Sequence, residues 1–103
     1  MVNVTSIYNK IQTHIQGKTG KEKLSTISRW LQNEYNIEII FCKIHGNRWA
    51  FITGSDSFIS PVHKYQLHKK WGIMTGDTNH ISDYEWNTII ATLKDIIIPL
   101  SDI

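Results

Sequence analysis

The fold turns on one stretch, Ile37-Glu38-Ile39-Ile40-Phe41-Cys42-Lys43-Ile44-His45-Gly46-Asn47-Arg48-Trp49-Ala50-Phe51-Ile52-Thr53. Residues 37–44 and 49–53 are rich in β-branched and aromatic side chains and too short for solitary helices, and the four residues between them carry turn chemistry. The stretch reads as a β-hairpin. With Gly46 and Asn47 at the centre of a two-residue turn, Ile44 pairs with Trp49, Cys42 with Phe51 and Ile40 with Thr53 on one face. Ile37, Ile39, Phe41, Ala50 and Ile52 occupy the other. Both faces are apolar, so each needs cover: helices on one side, and a later segment of the chain or a partner on the other. Ile40, Cys42, Ile44, Trp49 and Phe51 are therefore the candidate protein interface.

Upstream, Val4, Ile7, Tyr8, Ile11 and Ile15 recur at helical spacing, with Thr5 or Ser6 as N-cap and Gly17 as the end. A second helix opens at Thr19, which has capping-box spacing with Glu22, and runs through Leu24, Ile27, Trp30, Leu31 and Tyr35 to a stop at Asn36. Downstream, Gly54-Ser55-Asp56-Ser57 forms a turn, and 58–74 admits two readings. Ser60-Pro61 opens a short helix ending near Gly72, or Phe58-Ile59 and Tyr65-Gln66-Leu67 continue the sheet. Extended structure is preferred, because Val62, Tyr65, Leu67, Trp71 and Ile73 share no helical face. After a loop at 76–80, Ser82 and Glu85 form a capping box for a helix striped by Trp86, Ile89, Ile90, Leu93 and Ile97 and closed by Pro99. The expected fold is α+β: two N-terminal helices, a small antiparallel sheet built on the hairpin, and a C-terminal helix.

At 103 residues, with 41% hydrophobic and 19% charged side chains, the chain has the size and balance of a single compact domain spanning 1–103. Cys42 is its one cysteine, which excludes an internal disulfide framework and a zinc site built on several cysteines. No apolar run approaches the ~20 residues a membrane-spanning helix needs, so no membrane association is expected. The first twelve residues lack the pattern of a Sec-type signal, and a cytoplasmic location is the expectation.

The residues that carry chemistry do not assemble into a recognised motif. Histidines stand at 14, 45, 63, 68 and 80, but His63 and His68 are five apart, on different faces of either a helix or a strand, and no metal-ligand pattern surrounds them. They read as solvated or locally hydrogen-bonded. Cys42 lies mid-hairpin without a helix N-terminus or flanking cations, and reads as a small buried hydrophobe. Glu38, Asp56 and Asp77 have no spacing that converges on magnesium. Gly17-Lys18-Thr19-Gly20-Lys21 falls short of a phosphate loop, because Gln12 stands where the first glycine belongs and a helix precedes it. No catalytic group, metal or cofactor is assigned; a non-enzymatic protein is preferred, and an enzyme, which would require a metal or a nucleophile, stays open as the third reading.

Two basic stretches remain. Lys18, Lys21 and Lys23 crowd a helix start, where the dipole favours an anion over cations. Lys64, Lys69, Lys70 and Trp71 belong to a segment, 62–71, that mixes cations with rings and has no acid, a composition suited to phosphates and bases. Trp71 is the tryptophan expected on the surface. The charge is also segregated: residues 1–36 hold five Lys/Arg against two acids, and 81–103 one against four, although the net charge is only +2. The leading expectation is a small binding or regulatory module docking on another protein or its own copy, such as an inhibitor, immunity factor or accessory protein of a mobile element. The alternative is a nucleic-acid binder using the seven residues just named.

Overall fold

The computed structural model describes residues 4–54 and 61–97. Its elements are α1 (Val4–Ile15), α2 (Gly20–Tyr35), β1 (Ile39–His45), β2 (Arg48–Gly54), β3 (His63–His68), β4 (Trp71–Thr75) and α3 (Asp83–Ile97). The four strands form one antiparallel sheet in the order β2-β1-β4-β3, which confirms the α+β architecture. Residues 63–75 are two strands joined by a turn at Lys69 and Lys70, so the extended reading of this segment holds. The expected strand at Phe58-Ile59, most of the turn after Gly54 and the stop at Pro99 lie outside the described residues.

Helix boundaries follow local chemistry. Asn36 adopts the left-handed conformation (φ 54°), its N–H donates to Gln32 O at 3.1 Å and the Ile37 N–H to Leu31 O at 3.4 Å, ending α2 at the stop expected from the sequence. Ser82 Oγ accepts the Glu85 N–H at 3.1 Å and donates to the Glu85 carboxylate at 3.0 Å, so the capping box of α3 is formed. The box expected at Thr19 and Glu22 is not. Gly20 opens α2 with φ +50°, and the Glu22 N–H donates to the Thr19 backbone carbonyl at 3.1 Å instead of its hydroxyl. The Glu22 carboxylate turns to Lys18. Thr5 and Ser6 fall inside α1 rather than at its cap, since the helix already includes Val4.

All three helices lie on one side of the sheet. α2 covers β1 and β2, α3 covers β3, and α1 packs on α2 and α3. Ile7, Ile11 and Ile15 from α1, with Leu24, Ile27 and Leu31 from α2, meet Ile39, Phe41 and Ile73 of the sheet in one buried core. Ile89, Leu93 and Ile97 complete it from α3. Buried helical hydroxyls are satisfied within their own helices, Ser28 by Leu24 O at 3.0 Å and Thr92 by Thr88 O at 2.8 Å.

Two β-bulges adjust which residues face the core. On β2, Ile52 is the extra residue, so Thr53 lies opposite Phe41 and Gly54 opposite Ile40. The expected Ile40–Thr53 pair is thereby replaced, because one inserted residue reverses every later side chain on that strand. Thr53 is buried on the helix side as a result. On β3, Leu67 is the extra residue and also joins the core.

Candidate docking face

A strand sends successive side chains to opposite sides, so the helices can cover only half of the sheet's side chains. Ile39 and Phe41 of β1 and Trp71 and Ile73 of β4 point to the helices and are buried. The alternate residues, Ile40, Cys42 and Ile44 on β1, Trp49 and Phe51 on β2, and Met74 on β4, share the opposite face. Among the described residues no helix lies on that face. The five candidate interface residues read from the sequence thus share one side of the sheet, with Ile44 opposite Trp49 and Cys42 opposite Phe51 as the hairpin turn requires, although Cys42 is buried there.

The face has a bare part and a roofed part. Phe51, on the edge strand β2, is 63% exposed, a large ring open to water, and on the same face Ile40 and Ile44 of β1 and Met74 of β4 are half-buried. Trp49 instead crosses β1 and lays its six-membered ring on Gly72 of β4, so close that a Cβ at 72 would overlap the ring. Gly72 is opposite Cys42, and the Cys42 side chain beside this roof is only 1% exposed. Burial raises the Cys42 thiol above its ordinary ionisation range, while the nearby Lys64 charge opposes that shift. The small-hydrophobe reading of Cys42 therefore stands, and it contributes little contact area.

Lys64, on the far strand β3, completes the roof with its ammonium 4.9 Å from the centre of the Trp49 ring. Lys64, expected in a nucleic-acid segment, and Met74 and Gly72, outside the candidate interface, all belong to this face. The available signal was the glycine: an isolated glycine inside a strand marks a place where another group approaches the backbone closely.

Trp71 is the clearest correction. Expected at the surface, it is 2% exposed, on the helix side of β4, with the Lys43 ammonium 5.6 Å from its ring. Because Gly72 faces the Trp49 roof, alternation turns Trp71 and Ile73 inward, and no ring face is left at 71 for stacking on a base. The remaining candidate nucleic-acid residues divide between two layers. Lys64 is on the sheet face and Lys69 and Lys70 are in the exposed β3–β4 turn, whereas Lys18, Lys21 and Lys23 belong to the start of α2. Lys18 pairs with Glu22 at 3.4 Å, and with Lys23 it lines a polar cleft of about 430 Å³ between α1 and α2.

Other features lie on the helical side. Tyr8 and Tyr84 flank a groove of about 540 Å³ between α1 and α3 whose floor includes Ala91 and Thr92. His63 and His68 sit at opposite ends of β3. His14 Nδ1 donates to Lys10 O at 2.8 Å, and His80 Nε2 donates to Tyr35 O at 2.7 Å, tying the loop before α3 to the end of α2. Among the described residues no group of three His, Cys, Asp or Glu side chains is placed to hold a metal, and no helix is long and apolar enough to cross a membrane.

The chain matches no family model, no curated protein and no solved structure.

Proposed function

We propose that this chain is a small non-enzymatic binding module that docks another protein on the helix-free face of its sheet, acting as an inhibitor or accessory factor does, by occupying its partner. One observation carries the reading: Phe51 stands 63% exposed on the edge strand β2, on an apolar sheet face that none of the described helices covers. Burying such a ring in a partner contributes roughly 1.5–3 kcal/mol, enough to make it an anchor of the interface. Ile40 and Ile44 on the adjacent strand and Met74 one strand further extend that anchor into an apolar face. Trp49, packed against Gly72 with the Lys64 ammonium over its ring, borders the face in a fixed position. A rigid border lowers the ordering cost that docking otherwise incurs.

A photo-crosslinking side chain at position 51 tests this in cells that express the protein, with position 33 on α2 and position 87 on α3 as exposed controls. The expected result is a discrete covalent adduct from position 51 that is absent from both controls, with the partner identified by its mass. Adducts from 33 or 87 and none from 51 would place docking on the helical side and refute the proposal.

A further inference from the structure

If the sheet face is the docking surface, as just proposed, its charge sets the partner's chemistry. We infer that it receives an acidic segment of a partner protein. The four strands and their two hairpin turns, residues 39–54 and 63–75, contain five Lys/Arg and no Asp or Glu. Among the described residues, none of these cations has a carboxylate partner, since the ion pair found there is Lys18–Glu22. Both turns lie at the same end of the sheet, where the Ile44 N–H donates to Lys70 O at 2.8 Å. Exposed Arg48, Lys69 and Lys70 gather at that end, and Lys64 stands on the face itself. The acids lie elsewhere. Glu38 precedes β1 and meets Gly76 at the opposite end of the sheet, and Asp83, Glu85 and Asp95 belong to α3.

A cationic rim without carboxylate partners beside an apolar sheet face complements a chain that alternates carboxylates with apolar residues. The rings decide between such a chain and a nucleic acid, which shares the negative charge. A single-stranded nucleic acid needs successive ring faces on which to stack its bases. Here Trp71 is buried, and Trp49 has Gly72 against its ring and the Lys64 ammonium over it. Among the described residues of this face Phe51 is the open ring, and Ile40, Ile44 and Met74, which share the face, offer no ring for stacking.

The test uses the full chain and fluorescence anisotropy with three dye-labelled probes: a peptide of repeated Glu-Ser-Leu units, its Lys-Ser-Leu counterpart and an oligothymidylate. The Glu-Ser-Leu peptide is expected to bind, to weaken by about tenfold as ionic strength rises from roughly 10 to 150 mM, and to lose most binding in both Lys64→Glu and Lys69→Glu/Lys70→Glu. The turn pair is exposed and lies outside the core, so that variant stays informative if Lys64→Glu disturbs the Trp49 roof. Preferential binding of the oligothymidylate, or of the Lys-Ser-Leu peptide, overturns the inference. Binding of no probe while position 51 still gives its crosslinked adduct overturns the acidic chemistry and leaves the docking role standing. Loss of that adduct as well removes both. Concentration-dependent mass by light scattering, abolished by Asp83→Lys/Asp95→Lys, would make the acidic segment α3 of a second copy and overturn the assignment to a different protein.

Discussion

The ammonium of Lys64 lies 4.9 Å from the centre of the Trp49 indole, joining residues from the two opposite edges of the four-stranded sheet. The indole spans the intervening strands because Gly72 offers no side chain beneath it. Adding a methyl group at 72 is the smallest change that tests the arrangement. Gly72→Ala is expected to destabilise the fold by about 1–3 kcal/mol, the usual cost of overpacking, and to do so much less when Trp49 is already alanine. Denaturant unfolding of the single and double variants checks this. Equal losses in both backgrounds would mean that the ring does not rest on Gly72.

The roof also shields Cys42, and burial raises its thiol above the ordinary value of 9.0. The native thiol should therefore react slowly with an aromatic disulfide reagent at neutral pH, and Trp49→Ala should speed the reaction without unfolding the protein. The linkage has a definite sign. The folded chain keeps the proton longer than the unfolded chain, so this contribution to stability is complete below about pH 9 and is lost as pH rises through the higher native value. The stability difference between wild type and Cys42→Ala should narrow on going from neutral to strongly alkaline pH. A constant difference would contradict the burial-driven shift.

Two similar capping signals in the sequence have different outcomes in the fold. Ser82 both accepts from and donates to Glu85, so Ser82→Ala should cost about 0.5–2 kcal/mol. Thr19 makes no side-chain cap bond, and Thr19→Ala should be close to neutral. Thermal unfolding of the two variants distinguishes the sites, and equal losses would show that Thr19 caps α2 after all.

Neighbouring registers on the sheet likewise predict opposite consequences. Trp71→Ala removes a buried indole from the helix side and should cost about 3–5 kcal/mol. Phe51→Ser removes an exposed ring and should leave the unfolding midpoint nearly unchanged while abolishing docking. If Phe51→Ser destabilised the isolated protein as Trp71→Ala does, Phe51 would belong to the core.

Much of this architecture was legible because its signals are local. The Gly46-Asn47 turn fixes the hairpin register near itself, and the stripes of Leu24, Ile27 and Leu31 and of Ile89 and Leu93 have helical period and are buried as they imply. What was missed depends on distant contacts. The bulge at Ile52 shifted Thr53 to the helix side, and nothing in 51–54 announces it. Trp71 was misplaced because its direction is set by the strand parity of Gly72, which becomes clear only when Trp49 arrives from two strands away. The Thr19–Glu22 spacing matched a capping box, but the left-handed Gly20 between them diverted the bond to the backbone.

Carbene footprinting of the purified protein, read residue by residue by mass spectrometry, tests most directly whether the hairpin's outward side is bare in a lone protomer. Heavy labelling of Phe51 and measurable labelling of Ile44 and Met74 are expected, against protection of Ile73 and Leu31. Protection of Phe51 equal to that of Ile73 in dilute monomer would contradict a bare outward side, because the surface offered to a partner would already be covered.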